Sequence, residues 1–481
     1  MNALQQEPVA EAIAGPDSSP SPLARYVPLA VWIIVGLTLL LVPLRIISHG
    51  FLPVGDARRH VAKAFTEKSY RDIIVLQSGY SMDHSPGWEW LLKKLQRATG
   101  WNQDALASAS IVITMLSVFL VALPYLKRPE AWLAALLIET IAMPELMGRF
   151  AQARPYLITE AVLIAVLFSW SREDQRTPSK WKLALTCLGI GVSVWIHGAW
   201  YLWCLPIGAF LLARRWRAGA WLTACWLVGT LAGAALTGKP IEFLKEGLFI
   251  GLAVGQQHAA AWMLVWEFRP GDGQFLTVLV VAIVALFRRQ TAPSLNPFSG
   301  PVFWLAVLGW ILSFKAIRFW EDWGVAALLV WLALQLQDVM TAAWDAAASK
   351  RLMACALLAV PLFLHTSNDL DRRYSKFEAL VGFDASGAKK GRVDCRVFAD
   401  GKELYASPDL RADAPPVHLS LPVAGADELK LVVDFGPDED TGDRVIWGNA
   451  RLYRYAAAAA AGTTSDAAAN RSKTTTAASR P

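Results

Sequence analysis

Uninterrupted apolar stretches of roughly 17–22 residues recur along this chain, about the length a helix needs to cross a bilayer. In lipid every backbone N–H and C=O must be satisfied internally, so such stretches fold as helices packed on one another. Composition agrees. Of 481 residues, 54% are hydrophobic and 18% charged, and 22 are tryptophan. A soluble protein carries roughly a quarter charged residues. The fold class is therefore a polytopic α-helical membrane protein.

Hydropathy places about eleven spans. They lie near residues 27–47, 107–126, 130–147, 155–170, 182–197, 199–213, 218–236, 273–288, 301–316, 322–339 and 351–365. The basic residues of the connecting loops alternate in side. Lys127 and Arg128, then Arg172, Arg176, Lys180 and Lys182, then Arg214, Arg215 and Arg217, then Arg288 and Arg289, then Lys350 and Arg351 fall on one face. The positive-inside rule makes that face cytoplasmic and puts everything after about Asn368 outside. Residues 1–25 are acidic and rich in Pro and Ser, without a basic n-region. They read as a disordered cytoplasmic segment ahead of a retained anchor.

The formal net charge of +6 comes with no basic stripe or tail, which argues against a nucleic-acid partner. Five cysteines match neither a disulfide framework nor a zinc spacing. No Walker loop, GxSxG elbow or HExxH is present, so ATP-driven and hydrolytic chemistry lack support.

On this topology the external loops are 48–106, 147–154, 237–272 and the turn around 315–322. The long loop 48–106 carries helical periodicity over Ala57–Glu67 and Trp88–Arg97, read as surface amphipathic helices. Residues 241–268 look similar, with aromatic residues suited to a membrane interface. Beyond the last span the pattern becomes alternating, as in Val393-Asp394-Cys395-Arg396-Val397-Phe398, with turn signals such as Asp400-Gly401. Residues 366–455 thus read as a small antiparallel β-sandwich, and the Ala/Thr/Ser-rich residues 456–481 as disordered.

The candidate chemistry lies on the external side. Gly55-Asp56-Ala57-Arg58-Arg59-His60 follows the first span. The Asp56 carboxylate there can deprotonate an acceptor hydroxyl or simply cap the helix it begins. His60 shares its helix face, as a site residue or as a surface histidine. Arg58, Arg59, Arg149, Arg154 and Arg318 offer guanidinium groups that grip phosphate bidentately, although snorkelling arginines at helix ends look the same in sequence. Glu321 stands next to this set. Glu139 and Glu160 fall inside spans, where an ionisable group is costly and points to function; an ion pair between Glu160 and Arg154 is the plainer account. Asp83-His84-Ser85-Pro86-Gly87-Trp88-Glu89-Trp90 can wall a sugar site with Trp88 and Trp90, His84 counting with Trp88 among the substrate-binding candidates, or cap a helix that starts near Pro86.

The membrane part, residues 26–365, resembles the C-type glycosyltransferase superfamily (GT-C), with its long first external loop bearing an acid. Asp56 stands where that acid belongs, Arg154-Pro155-Tyr156 at the start of the fourth span, and Arg318-Phe319 at a late one. The resemblance implies transfer of a hexosyl or pentosyl group from a polyprenyl-phosphate donor, with inversion and with Asp56 as general base. A divalent metal is possible and no other cofactor is indicated. The C-terminal part is similar to the NPCBM/NEW2 carbohydrate-binding module. The matching residues include Tyr374-Ser375-Lys376-Phe377-Glu378-Ala379, Phe398-Ala399-Asp400-Gly401-Lys402-Glu403-Leu404-Tyr405 and Gly442-Asp443-Arg444-Val445-Ile446-Trp447-Gly448-Asn449-Ala450. Asp443 and Trp447 are its candidate sugar contacts, with core packing the other role for the tryptophan.

The expected protein is a glycosyltransferase integral to a bacterial inner membrane, with the C-terminal module periplasmic or extracellular. Its partners would be a polyprenyl-phosphate-linked sugar, a glycan or envelope acceptor, and membrane lipids. A transporter or flippase of lipid-linked sugars would use the same arginines without Asp56. A non-catalytic glycan-binding membrane protein would need only the C-terminal module.

Overall fold

The computed structural model describes residues 24–48, 56–65, 83–171, 177–256, 269–291, 296–343, 348–365, 374–383, 391–426, 429–435 and 445–454. The chain forms two compact units, residues 1–367 and 368–481.

The first unit is helical. In chain order it comprises α1 (Val27–Ser48), α2 (Asp56–Phe65), α3 (Pro86–Thr99), α4 (Gln103–Val121), α5 (Glu130–Ala142), α6 (Leu146–Ala151), α7 (Tyr156–Ser171) and α8 (Lys180–Ile196). It continues with α9 (Cys204–Leu212), α10 (Trp216–Ala235), α11 (Pro240–Gln256), α12 (Phe275–Thr291) and α13 (Pro301–Ser313). A π-helical turn, Trp320–Gly324, leads into α14 (Val325–Ala343), and α15 (Ala348–His365) ends the unit. Each of the apolar segments read from hydropathy is helical here, and the helices at 57–67 and 88–97 appear as α2 and α3. Local signals set the ends. The Asn102 side chain accepts from the Ala105 N–H at 2.9 Å to start α4. Pro86 opens α3 and Gly100, at φ 67°, closes it.

The count of eleven spans is not supported. Among the described residues four helices are long and apolar enough to cross a membrane: Val27–Ser48, Gln103–Tyr125, Trp216–Ala235 and Trp320–Thr341. Others fall short of the ~20 residues a bilayer requires, such as α7, α9 and α13, or split, as 130–147 does into α5 and α6. Hydropathy alone registers apolar length and misses the turn at Met143–Glu145 that breaks such a run.

Small residues bring helices together. Gly191, Gly229 and Gly233 place α8 against α10 so closely that a Cβ on Gly229 would sit 2.7 Å from the Cys187 carbonyl. Some buried indoles tie helices together: Trp132 donates to the Phe119 carbonyl at 2.8 Å and Trp331 to that of Pro297 at 2.8 Å. At the start of α5, the buried Glu130 accepts two bonds from Arg351 of α15, at 2.6 and 3.1 Å. The side-chain Oε1 of Gln337 in α14 accepts from the Lys127 N–H at 2.7 Å. Leu29, Ile33, Leu37, Leu40 and Leu44 leave an exposed apolar stripe along α1, a surface that lipid accommodates and water does not.

The second unit is a β-domain of six antiparallel strands among the described residues: β1 (Tyr374–Phe383), β2 (Arg392–Ala399), β3 (Lys402–Arg411), β4 (Val417–Pro422), β5 (Leu429–Phe435) and β6 (Val445–Arg454). They form two three-stranded sheets, ordered β4-β1-β6 and β3-β2-β5. Asp400 and Gly401 take φ 48° and 76°, the left-handed pair that a two-residue hairpin requires, and they register Ala399 opposite Lys402. Val381, Val393, Cys395, Val397, Leu410 and Leu419 form its core. Burial pushes the Cys395 thiol up to about 11.

Candidate functional site

Helix α2 turns its polar face inward. His60 and Lys63 are each only 4% exposed, one turn apart along the helix. The side chain of Asp56 itself lies outside the described residues. Lys63 Nζ donates to Glu89 Oε1 at 2.5 Å and to Asp83 Oδ2 at 3.1 Å, and His60 Nδ1 stands 3.5 Å from the same Glu89 oxygen. The other Asp83 oxygen accepts from the Ser85 N–H at 2.8 Å, an Asx turn that leads into α3. Burial raises the Asp83 carboxyl to about 6, aided by its bond and repulsion with Glu89 and opposed by Lys63.

The adjoining His84 is held by its backbone. Its carbonyl accepts from the Gly198 N–H at 2.8 Å, and a Cβ on Gly198 would lie 3.0 Å from His84 Nδ1. A larger residue there would press on the His84 ring and backbone. The His84 ring meets the His197 ring edge-on, centroids 4.6 Å apart. Burial, then the positive charge of Arg318 and Arg59, lower His84 to about 4. It is therefore neutral at physiological pH and can both donate and accept.

The α6–α7 junction adds to this cluster: Ala153 adopts φ 51° and the chain turns through Arg154 into α7. Tyr156 packs edge-on against His197 at 5.1 Å and donates from Oη to the Asp322 carbonyl at 3.0 Å. The π-turn joins it through Tyr156 and the acids that follow Trp320. Its widened backbone sends two successive acids, Glu321 and Asp322, into the interior. Arg149 donates to Glu321 Oε2 and, at 2.5 Å, to Asp322 Oδ1. Arg318 Nε donates to Asp322 Oδ2 at 2.8 Å, with its guanidinium 6.0 Å from the centroid of the Tyr156 ring. The buried Glu160 lies in electrostatic range of Asp322, Arg149 and Glu321.

Four distant parts of the chain thus converge. His60, Arg154 and Arg318 all act electrostatically on His197, and Arg59, His60 and Arg318 on His84. Of the residues singled out from sequence, this gathers Arg59, His60, His84, Arg154 and Arg318. Arg149 and Glu321 are joined to each other, and Arg58 turns toward Asp104 at 3.6 Å. Trp88 is fully buried between α2, α3 and α4 with Val61, Leu92 and Leu106. Glu139 is buried, and both its carboxyl oxygens lack a hydrogen-bond partner among the described residues. Sequence reasoning gave no role to Lys63, Tyr156, His197 or Asp322, and quoted Glu89 only within the Asp83–Trp90 cluster. A histidine closing the apolar run at Trp195-Ile196-His197-Gly198 was the available signal. Among the described residues no three His, Cys, Asp or Glu side chains cluster as metal ligands, so the divalent metal admitted by the resemblance has no assigned holder there.

In the β-domain Asp443 lies outside the described residues. Trp447 packs against both apolar clusters of that unit, which is the core role. On the β1–β6 surface Tyr453 Oη donates to Glu378 at 2.6 Å, and Lys376 reaches the same carboxylate at 2.5 Å. Those two hydrogen bonds, Lys376 first, hold the Glu378 carboxyl below its ordinary range.

Residues 365–453 match the NPCBM/NEW2 domain, so this part of the chain is an NPCBM/NEW2 carbohydrate-binding domain. The match leaves the helical part unassigned. The comparison with curated proteins finds no match for the chain.

Proposed function

We propose that the helical part is a membrane glycosyltransferase that takes a sugar from a polyprenyl-phosphate donor, and that the β-domain engages the glycan or envelope acceptor. The observation that supports this reading most is the convergence of Arg59, Arg154 and Arg318 on a wall of histidines beside the helix that Asp56 begins. Guanidinium groups in a partly desolvated recess bind a phosphate and stabilise the charge that develops on it as a leaving group. Asp56 takes the proton from the acceptor hydroxyl while its oxygen bonds to the anomeric carbon and the bond from that carbon to the phosphate oxygen breaks. Attack opposite the leaving group inverts the anomeric centre.

Arg154 and Arg318 hold the phosphate in this reading, and Arg149 shapes the wall through Glu321 and Asp322. The shorter apolar helices complete the bundle around the four long ones, with the basic loops on the cytoplasmic side and the recess on the external side. The test is transfer by purified protein in liposomes, with polyprenyl-phosphate sugar supplied. Wild type should yield glycosylated product, and Asp56→Asn should abolish it while leaving insertion and melting temperature unchanged. Product formed by folded Asp56→Asn protein removes the mechanism, and movement of donor across the bilayer without product would favour a transporter.

A further inference from the structure

The outer face of the β4-β1-β6 sheet carries polar side chains that the core of the β-domain does not use. Along β1, Phe377, Ala379 and Val381 are buried, so alternation turns Lys376 and Glu378 the other way. Register lays their neighbours beside them. On β6, Tyr453 is opposite Lys376 and Arg451 opposite Glu378; on β4, Ser420 is opposite Glu378, with His418 two residues before it. Directly paired residues share a face. His418, Ser420, Arg451 and Tyr453 are exposed, and the Lys376 and Glu378 side chains are 42% and 23% exposed. Glu378 is fixed from two sides, accepting from Lys376 Nζ at 2.5 Å and from Tyr453 Oη at 2.6 Å, while the ammonium lies 4.5 Å from the Tyr453 ring centroid. A carboxylate accepts at about four positions and an ammonium has several protons to give, so both keep capacity toward solvent. An acceptor and a donor held side by side match a sugar hydroxyl, which can give a proton to one and take a hydrogen bond from the other. A phosphate or lipid oxyanion has only acceptors, and Glu378 repels it. Arg451 has no hydrogen bond or ion pair among the described residues. With Lys376 and Glu378 neutralising each other, it leaves the patch positive.

We infer that the outer face of β4-β1-β6 binds an acidic carbohydrate, with sugar hydroxyls on Glu378 and Lys376 and a uronic-acid carboxylate on Arg451. The inference rests on the acceptor-binding role given to the β-domain above and names its site and ligand class. The full chain, in nanodiscs of zwitterionic lipid, is titrated on an array of uronic-acid oligosaccharides, the same compounds with their carboxylates reduced to alcohols, and neutral oligosaccharides. Wild type should favour the acidic forms. Arg451→Gln should weaken them about fivefold, as the loss of an exposed ion pair does, and leave the reduced forms unchanged. Glu378→Ala should weaken both about tenfold, the loss of hydrogen bonds to a charged acceptor. Arg392→Gln, on the other sheet, should bind as wild type. Where Glu378→Ala disturbs the sheet, Arg451→Gln decides, because its side chain is exposed and bonded to nothing described. Equal binding of acidic and reduced forms, wild-type affinity in both the Arg451 and Glu378 variants, or an equal loss in Arg392→Gln overturns this site and leaves glycan recognition by the domain standing. An array on which no glycan is bound overturns the role of the β-domain in the reading above, and this inference with it.

Discussion

Asp83 illustrates how a single side chain in this cluster acquires its properties. It shares Lys63 with Glu89, and burial raises it from an ordinary 3.8 to about 6. The folded protein thus holds this proton more tightly than the unfolded chain does. The resulting contribution to stability is complete below about pH 4 and is lost as pH rises through about 6. Asp83→Asn, which cannot ionise, should flatten the decline of melting temperature between those two values. An unchanged slope in the variant would assign the decline to other groups. At the same scale the fates of the arginines diverge. Arg58 and Arg59 are neighbours in sequence, yet helical geometry sends one toward Asp104 and sets the other beside His84.

The π-turn is the element that most shapes the site. An α-helix would spread Glu321 and Asp322 farther around the axis; the wider turn directs both to Arg149. Gly324 makes room for it, since a Cβ there would collide with the Trp320 ring, and Gly309 of α13 packs directly on it. Two carboxylates and a guanidinium buried together are tolerable only as a set. Arg149→Gln should cost about 3–5 kcal/mol in unfolding free energy, because it strands buried negative charge. Arg149→Gln combined with Glu321→Gln should recover part of that. Denaturant titration in detergent checks both, and a neutral effect of the single substitution would show that the turn does not depend on this grip. The hairpin at Asp400-Gly401 is the opposite case. Its left-handed backbone follows from the two residue types alone, and the structure has it where the sequence places it.

For the whole molecule, the division into two units carries the clearest expectation. The NPCBM/NEW2 domain has its own apolar clusters and two sheets. Residues 366–481 expressed alone should give a β-rich circular dichroism spectrum and a single cooperative thermal transition. A fragment that melts without cooperativity would mean that the domain depends on the helical part. With the fragment folded, a glycan array on it tests carbohydrate recognition separately from any transfer by the helical part.

Sequence by itself determined the helical class of the first unit, the rough location of its apolar segments, the antiparallel strands and the Asp-Gly turn. Hydrophobic periodicity and turn chemistry act over a few residues and are written locally. It also pointed to Arg59, His60, His84, Arg154 and Arg318, because charge beside a membrane segment stands out in any linear reading. Which arginine pairs internally, why Trp88 belongs to the core, and how Asp83, Lys63 and Glu89 share their charge were decided only by tertiary structure. So was the place of His197, which touches a loop more than a hundred positions earlier in the chain. These outcomes depend on burial and on side-chain distances of a few ångströms between segments far apart in sequence, and no local pattern encodes either.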